Sequence, residues 1–366
     1  MTGVSRRDFI PDVIWPFDSA TETYGAAVDR QATPGRWSEF VSADIPLVTQ
    51  WDDGAHTGPE PGRLATSSAS MSGAVADMLT ALQPAVGGAY LDIGTGTGYT
   101  PARIAEIAGP SGFVTTVEVD AELATVARGN LERAGVRNVE VITGDGFDGW
   151  ARSAPYSGVH VTCGIRRISH AWVAQCLPGA RIVLPWGTDY TQHDRLLTLT
   201  VGDDGTASGP FGGGLSFMKM RAQRLTYPEH AAYAPKGWDD DGREGHSDLT
   251  WQEAAQVIGQ DGGFAVGLRV RDCFVNPART EEGAVSIWLY STSDRSVAYA
   301  GFSDDHAPDI MQAGPRSLWD EVADARAWWA AHGRPEPERF GLTVGAEEQR
   351  AWLDSPDGES WPLRLR

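Results

Sequence analysis

The chain has few cysteines, few cations and no long apolar run, and each shortage closes off a class of protein. Its three cysteines, Cys163, Cys176 and Cys273, are far apart and form no C-x-x-C pair. A disulfide framework and a zinc site are therefore not expected, and a reducing, cytoplasmic setting fits. The eight histidines are scattered without an H-x-x-x-H pair, so no metal is expected either. Thirty Lys and Arg face 49 Asp and Glu, a net charge of −19. A basic face for nucleic-acid phosphates is missing, which argues against that partner. No stretch approaches the ~18 apolar residues of a membrane span. SRRDFI at 5–10 resembles a twin-arginine export signal, but PDVIWPFDSATETYG follows where an apolar run would be needed.

At 366 residues and 41% hydrophobic content, the chain is long enough for more than one folded unit. Residues 1–65 look irregular, rich in Trp, Asp, Pro and Gly. From 66 to 227, strands alternate with helices: AYLDIG, TPARIAEIA, GFVTTVEVD, ELATVARGNLERAG, NVEVITGD, VHVTCG, ISHAWVAQCL and ARIVLPWG. That alternation predicts an α/β fold, a Rossmann-like, mostly parallel, doubly wound sheet with its ligand at the carboxyl ends of the strands. RLLTLTVGD and LSFMKMRAQRL are expected as further strands, with GPFGGGLS as the turn between them. Residues 228–248 read as a polar linker whose Asp239–Asp241 run is a solvated loop. Residues 249–366 read as a C-terminal α+β domain: helices TWQEAAQVIG and RSLWDEVADARAWWAAHG, strands FAVGLRVRD, AVSIWLYS and SVAYAGF, and a hairpin in FGLTVGAEEQRAWLD. Its tryptophans are expected mainly in its core.

The sharpest chemical signal is YLDIGTGTGYT, residues 90–100. After Asp92, Gly94, Gly96 and Gly98 alternate with Thr95 and Thr97, and Tyr99 stands where a dinucleotide fingerprint wants its third glycine. The Gly-Lys-Ser/Thr ending of a P-loop is absent. The pattern resembles motif I of the S-adenosylmethionine-dependent methyltransferases, whose loop embraces the amino-acid and ribose portion of the cofactor. Glu118, closing TTVEVD, suits the two ribose hydroxyls. Asp145 and Gly146, in GDG, resemble the acidic corner near the adenine.

Four further stretches resemble the protein-L-isoaspartate O-methyltransferase family: VSRRDFIPD (4–12), SADIPL (42–47), SMSGAVADML (70–79), and GDGFDGW…APYSGVHVTCGIRRIS followed by ARIVLPWG. The resemblance implies that Ser70 is the active-site serine beside the transferred methyl. It also implies that Ser67, Ser68, Thr162, Arg166, Arg167, Pro185 and Trp186 border a peptide-binding cleft. Ser72, Cys163–Gly164, Ser169 and Trp186 depart from the family's proline, alanine pair, proline and valine. All four departures lie around the expected substrate. No His–Asp pair is recognisable, and an ionised carboxylate acceptor needs none.

The C-terminal extension, with SASM, SFMKMRAQR and RFGLTV…AWLDSPDG, resembles actinobacterial relatives that act on ribosomally made peptides of the graspetide and lanthipeptide classes. On that resemblance the leading expectation is methylation of an aspartate side chain in a cyclised precursor peptide. S-adenosylhomocysteine would be the co-product, and the ester would close to an aspartimide or open to isoaspartate. Repair of isoaspartate in damaged proteins is the first alternative, and a non-catalytic peptide-binding protein on the same fold is the second.

Overall fold

The computed structural model describes residues 3–18, 21, 23–279, 285–303 and 307–363. Its spine is a ten-stranded sheet. Five strands are parallel, in the spatial order Cys176–Trp186, Tyr156–Val161, Ala89–Ile93, Phe113–Glu118, Val139–Thr143. Five antiparallel strands extend the first edge: Arg195–Val201, Ala207–Gly214, Phe340–Val344, Gln349–Leu353 and Ser360–Leu363. The predicted doubly wound sheet is present, with crossover helices Tyr99–Ala108 and Ala121–Arg133. Asp120 starts the second helix by accepting from the Glu122 and Leu123 N–H groups, and Gly135, at φ 70°, closes it.

Several expectations fail in instructive ways. The described residues before 65 form a small sheet and a helix, not an irregular segment. Val13–Asp18 pairs with Thr23–Tyr24, Val28–Asp29 and Leu47–Trp51, and the last of these pairs with Ala65–Ala69. Helix Pro34–Ser42 covers this small sheet through Trp37 and Val41. The twin arginines serve the same unit. The buried Arg6 guanidinium donates to the carbonyls of Val41, Ala43, Ile45 and Ala69, tying the amino-terminal turn to the strand that leads into Ser70. Burial pushes its pKa down, against the pull of Tyr99 and Asp44.

GPFGGGLS is mostly strand rather than turn, and the reversal occurs earlier, at Gly202–Thr206. LSFMKMRAQRL forms no strand. It runs as a strap with one 3-10 turn at Arg221–Gln223 and a single bridge from Lys219 to Gly164. FAVGLRVRD belongs to a helix, Gln260–Arg269. The 228–248 stretch carries short helical turns and a strand, Gly242–Glu244, paired with Asp309–Ala313; the backbone of Asp239–Asp241 is helical.

The C-terminal part divides in two. Its own five-stranded sheet is Gly242–Glu244, Asp309–Ala313, Val297–Phe302, Val285–Ser291 and Cys273–Arg279. The predicted hairpin at 340–353 instead joins the large sheet through Phe340–Val344 against Ala207–Gly214. One core cluster runs through both regions: Trp186 and Phe211 meet Phe264 and Phe340, with ring centroids 4.9–6.4 Å apart. Each such ring contributes roughly 2–3 kcal/mol of burial. Of the C-terminal tryptophans, Trp319 and Trp329 lie in core clusters, Trp251, Trp288 and Trp328 pack half-buried against such clusters, and Trp352 is buried.

Candidate active site

The carboxyl ends of the parallel strands open into a cavity whose lining bounds about 1070 Å³ of space, open solvent included. Its floor is the loop after Ala89–Ile93. Gly94 (φ 92°) and Gly96 (φ 53°) take left-handed backbone conformations that glycine adopts without strain. A Cβ on Gly94 would also stand 2.9 Å from the Thr162 hydroxyl, which donates to the Gly94 carbonyl at 2.6 Å. Thr162 therefore locks the loop to the next strand end.

Beneath the loop lies a hydrogen-bonded chain the sequence did not disclose. His160 Nδ1 meets Asp92 Oδ1 at 2.8 Å, and the Thr116 hydroxyl donates to Asp92 Oδ2 at 2.7 Å. Thr116 thus accepts from the Thr95 hydroxyl, 2.7 Å away, which pins the loop. A His–Asp pair does exist, contrary to expectation. Both side chains are wholly buried between strands, so the pair organises the floor and cannot meet an acceptor. Asp92, expected to touch the cofactor, lies behind the lining because Thr116 and His160 occupy its carboxylate. Gly98 is likewise outside the lining, packed against Ala127 at the helix start.

The remaining cofactor residues come together. Thr95, Gly96, Thr97, Tyr99, Glu118, Asp145 and Gly146 all line the cavity with Gly94. Glu118 accepts from the N–H groups of Gly96 (2.9 Å) and Asp120 (3.1 Å). Burial pushes its carboxyl up from the ordinary value, against those two donors. Burial also works to raise Asp120, but Arg221, Gln50 and the helix N–H groups together bring it below its usual range. Asp145 turns back to accept from Phe147 N–H at 2.9 Å.

Ser67, Ser68 and Ser70 form the opposite wall, at the end of strand Ala65–Ala69. The small N-terminal sheet delivers them: a Cβ on Gly96 would come within 3.8–3.9 Å of the Ser68 carbonyl and the Ser67 hydroxyl. Thr162 and Cys163 complete the floor on the far side. Burial, with Glu118 and Asp92 nearby, pushes the Cys163 thiol well up, so it stays protonated.

Four expected substrate residues are not in this lining. Pro185 and Trp186 are buried, and Trp186 packs on Phe211 and Phe264, because the antiparallel extension covers this strand end. Arg166 turns to Asp189 (2.8 Å) and the Gln223 carbonyl, and Arg167 lies over the Phe147 ring. In their place the strap supplies Phe217, Met218, Lys219, Met220, Arg221, Ala222 and Arg224. Arg221 clips it to Asp120 (2.7 Å) and Asp53 (3.0 Å), and Arg224 also binds Asp53. SFMKMRAQR was expected only as part of a strand and of the C-terminal extension, with no site role. The alternating Lys219 and Arg221 among methionines were its only local signal.

The family model for protein-L-isoaspartate(D-aspartate) O-methyltransferase matches residues 27–208. The protein-L-isoaspartate O-methyltransferase of Pyrococcus horikoshii is 35% identical over 185 residues, 50% of this chain and 76% of its own. Its namesake from Methanopyrus kandleri is 37% identical over 147 residues, 40% of this chain and 64% of its own. For the Aeropyrum pernix relative the figures are 43% over 120 residues, 32% and 46%. A solved structure titled protein-L-isoaspartate O-methyltransferase aligns over 87% of this chain and 89% of its own, with TM-score 0.51 and 20% identity. The residues present fit S-adenosylmethionine: a left-handed glycine loop and a buried acid at the next strand end face one cavity.

Proposed function

We propose that this chain, which belongs to the protein-L-isoaspartate(D-aspartate) O-methyltransferase family, methylates the free carboxylate of isoaspartyl residues in peptides or proteins. Its cofactor is S-adenosylmethionine, which when bound supplies a sulfonium methyl that passes to a carboxylate oxygen as the C–S bond breaks, leaving neutral S-adenosylhomocysteine and a methyl ester. The observation that carries the reading is the convergence of Ser70 and Thr162 with Gly94–Thr97 and Glu118 on one cavity.

The chain's own groups have little proton chemistry to do. The acceptor is already ionised, and no proton leaves it. What remains is alignment and exclusion of water. Glu118 and the glycine loop hold the donor. Ser70 offers a hydroxyl to orient the acceptor, and the strap from Phe217 to Arg224 roofs the cavity. Cys163, kept protonated by burial, is not a competing nucleophile.

A second reading, methylation of an aspartate side chain in a modified ribosomal peptide, is favoured by one observation. The departure Cys163 lines the cavity and Gly164 lies next to it against Asp194 and Lys219, while the cofactor loop keeps its pattern. The test offers the enzyme an isoaspartyl peptide, its aspartyl twin and a macrocyclic aspartyl peptide, and measures base-labile methyl ester. Turnover of the isoaspartyl peptide is expected. Turnover of the macrocycle alone would replace the first reading with the second.

A further inference from the structure

Lys219 and Asp194 form an ion pair in the wall of the cavity that the reaction described so far leaves unused. The Asp194 side chain is fully buried, and that of Lys219 retains 12% exposure while lining the cavity. Taking an ammonium and a carboxylate out of water is costly, so a pair in a pocket wall calls for a use. The backbone has been shaped around it. A Cβ on Gly164 would stand 2.7 Å from Asp194 Oδ2, 2.8 Å from the Phe217 carbonyl and 2.9 Å from Lys219 Cδ. Gly187 is pressed more closely still by Asp194. The alanine usual in the family at position 164 would not fit beside this pair. Gly164 thus has a physical reason that its sequence position alone did not show.

The sheet order says which end of the cavity the ammonium serves. Glu118 ends the strand Phe113–Glu118, and Asp145 follows the strand beyond it. Lys219 is bridged to Gly164, just past the strand Tyr156–Val161, on the other side of the glycine loop. Two strand spacings, about 10 Å, separate that strand from the one carrying Glu118. With nucleoside at the acidic side and the methionine portion over Gly94–Gly96, the Lys219 side is left for the acceptor.

We infer that Lys219 is the group that binds the acceptor carboxylate, its ammonium aimed by Asp194. The inference rests on the proposed carboxylate acceptor. Only one of the three ammonium donors is spent on Asp194, which leaves donors for a second carboxylate. Asp194 acts as a positioning residue. The other cations of the lining are committed, Arg221 to Asp53 and Asp120 and Arg224 to Asp53, while Arg166 is salt-bridged to Asp189 outside the lining.

The test compares the full-length wild type with Lys219→Met and Lys219→Arg, using an isoaspartyl peptide and its isoasparaginyl amide. Steady-state methylation gives the acceptor KM, and calorimetry gives S-adenosylmethionine affinity and the binding of both peptides to the S-adenosylhomocysteine-loaded enzyme. Lys219→Met should raise the acceptor KM about tenfold or more and shift cofactor affinity less than about twofold. It should also erase the preference for carboxylate over amide, which Lys219→Arg should partly keep. A merely structural lysine would not move that preference. Should Lys219→Met fail to fold, Lys219→Met with Asp194→Asn removes the unpaired buried carboxylate and carries the same readout. An unchanged preference, or a loss confined to cofactor binding, overturns the inference. A wild type that esterifies neither an isoaspartyl nor an aspartyl peptide overturns the proposed function itself, and the role of Lys219 falls with it.

Discussion

At the scale of single residues, the site separates binding from chemistry. Ser70 belongs to the acceptor wall, so Ser70→Ala should lower kcat about tenfold to a hundredfold by removing a hydrogen bond to a charged group. Cofactor affinity, measured by calorimetry, should stay within about twofold. Glu118→Ala should do the reverse: affinity for S-adenosylmethionine should fall about tenfold or more while kcat at saturation is largely kept. Glu118 also predicts a pH dependence. Burial raises its carboxyl above the ordinary 4.5, so it takes up a proton earlier on acidification than an exposed glutamate. The ionised form accepts on both oxygens, whereas protonation turns one of them into a donor and weakens its hold on the ribose hydroxyls. Cofactor affinity should therefore weaken as pH falls, starting above the ordinary carboxylate range. Titrating the dissociation constant against pH checks this, and Glu118→Gln should flatten the curve.

At the scale of elements, Asp120 joins three parts of the chain. It caps helix Ala121–Arg133, receives Gln50 from the small sheet at 3.1 Å, and anchors Arg221 of the strap. Asp120→Ala should cost about 1 kcal/mol from the lost cap. It should also free the strap, seen as faster amide exchange over 217–224 and a raised acceptor KM. What the sequence disclosed follows from the same distinction between local and long-range order. The parallel strands, their helices and the acids Glu118 and Asp145 were legible because each is a local pattern with a turn residue behind it. The strap was not, because its partners lie far away in sequence at Gly164, Asp120 and Asp53. Helix Gln260–Arg269 was misread as a strand for a clear reason. Phe264, Val266, Leu268 and Val270 alternate, yet residues 262–268 are buried all round, so no helical stripe appears. The GPFGGG strand was taken for a turn, whereas Gly209 is glycine because its neighbour strand approaches at the Thr198 carbonyl.

At the scale of the whole molecule, the methyltransferase part and the C-terminal part share a core. The sequence suggested a linker at 228–248 between two domains, because polar, proline-rich stretches usually mark such boundaries. The chain instead leaves the large sheet at Gly214, builds the second sheet, and returns with three strands from Phe340 to Leu363 to finish the first. Phe264 sits in the seam with Trp186, Phe211 and Phe340, so Phe264→Ala should lower unfolding stability by about 3–5 kcal/mol. Truncation is the more decisive experiment. Cutting after residue 248 strips the Ala207–Gly214 edge of its partner and exposes Leu197, Leu199 and Phe211. An unpaired edge over an open apolar face favours aggregation. The truncated protein should therefore be insoluble or bind hydrophobic dye, and should not retain S-adenosylmethionine. A soluble, cooperatively melting fragment that binds the cofactor would show two separable domains and undo the shared-core account. The strap ends at Arg224, where the chain departs for the C-terminal part. Substitutions in the seam, far from the cavity, should therefore reach the acceptor through the strap, raising acceptor KM before they alter cofactor binding.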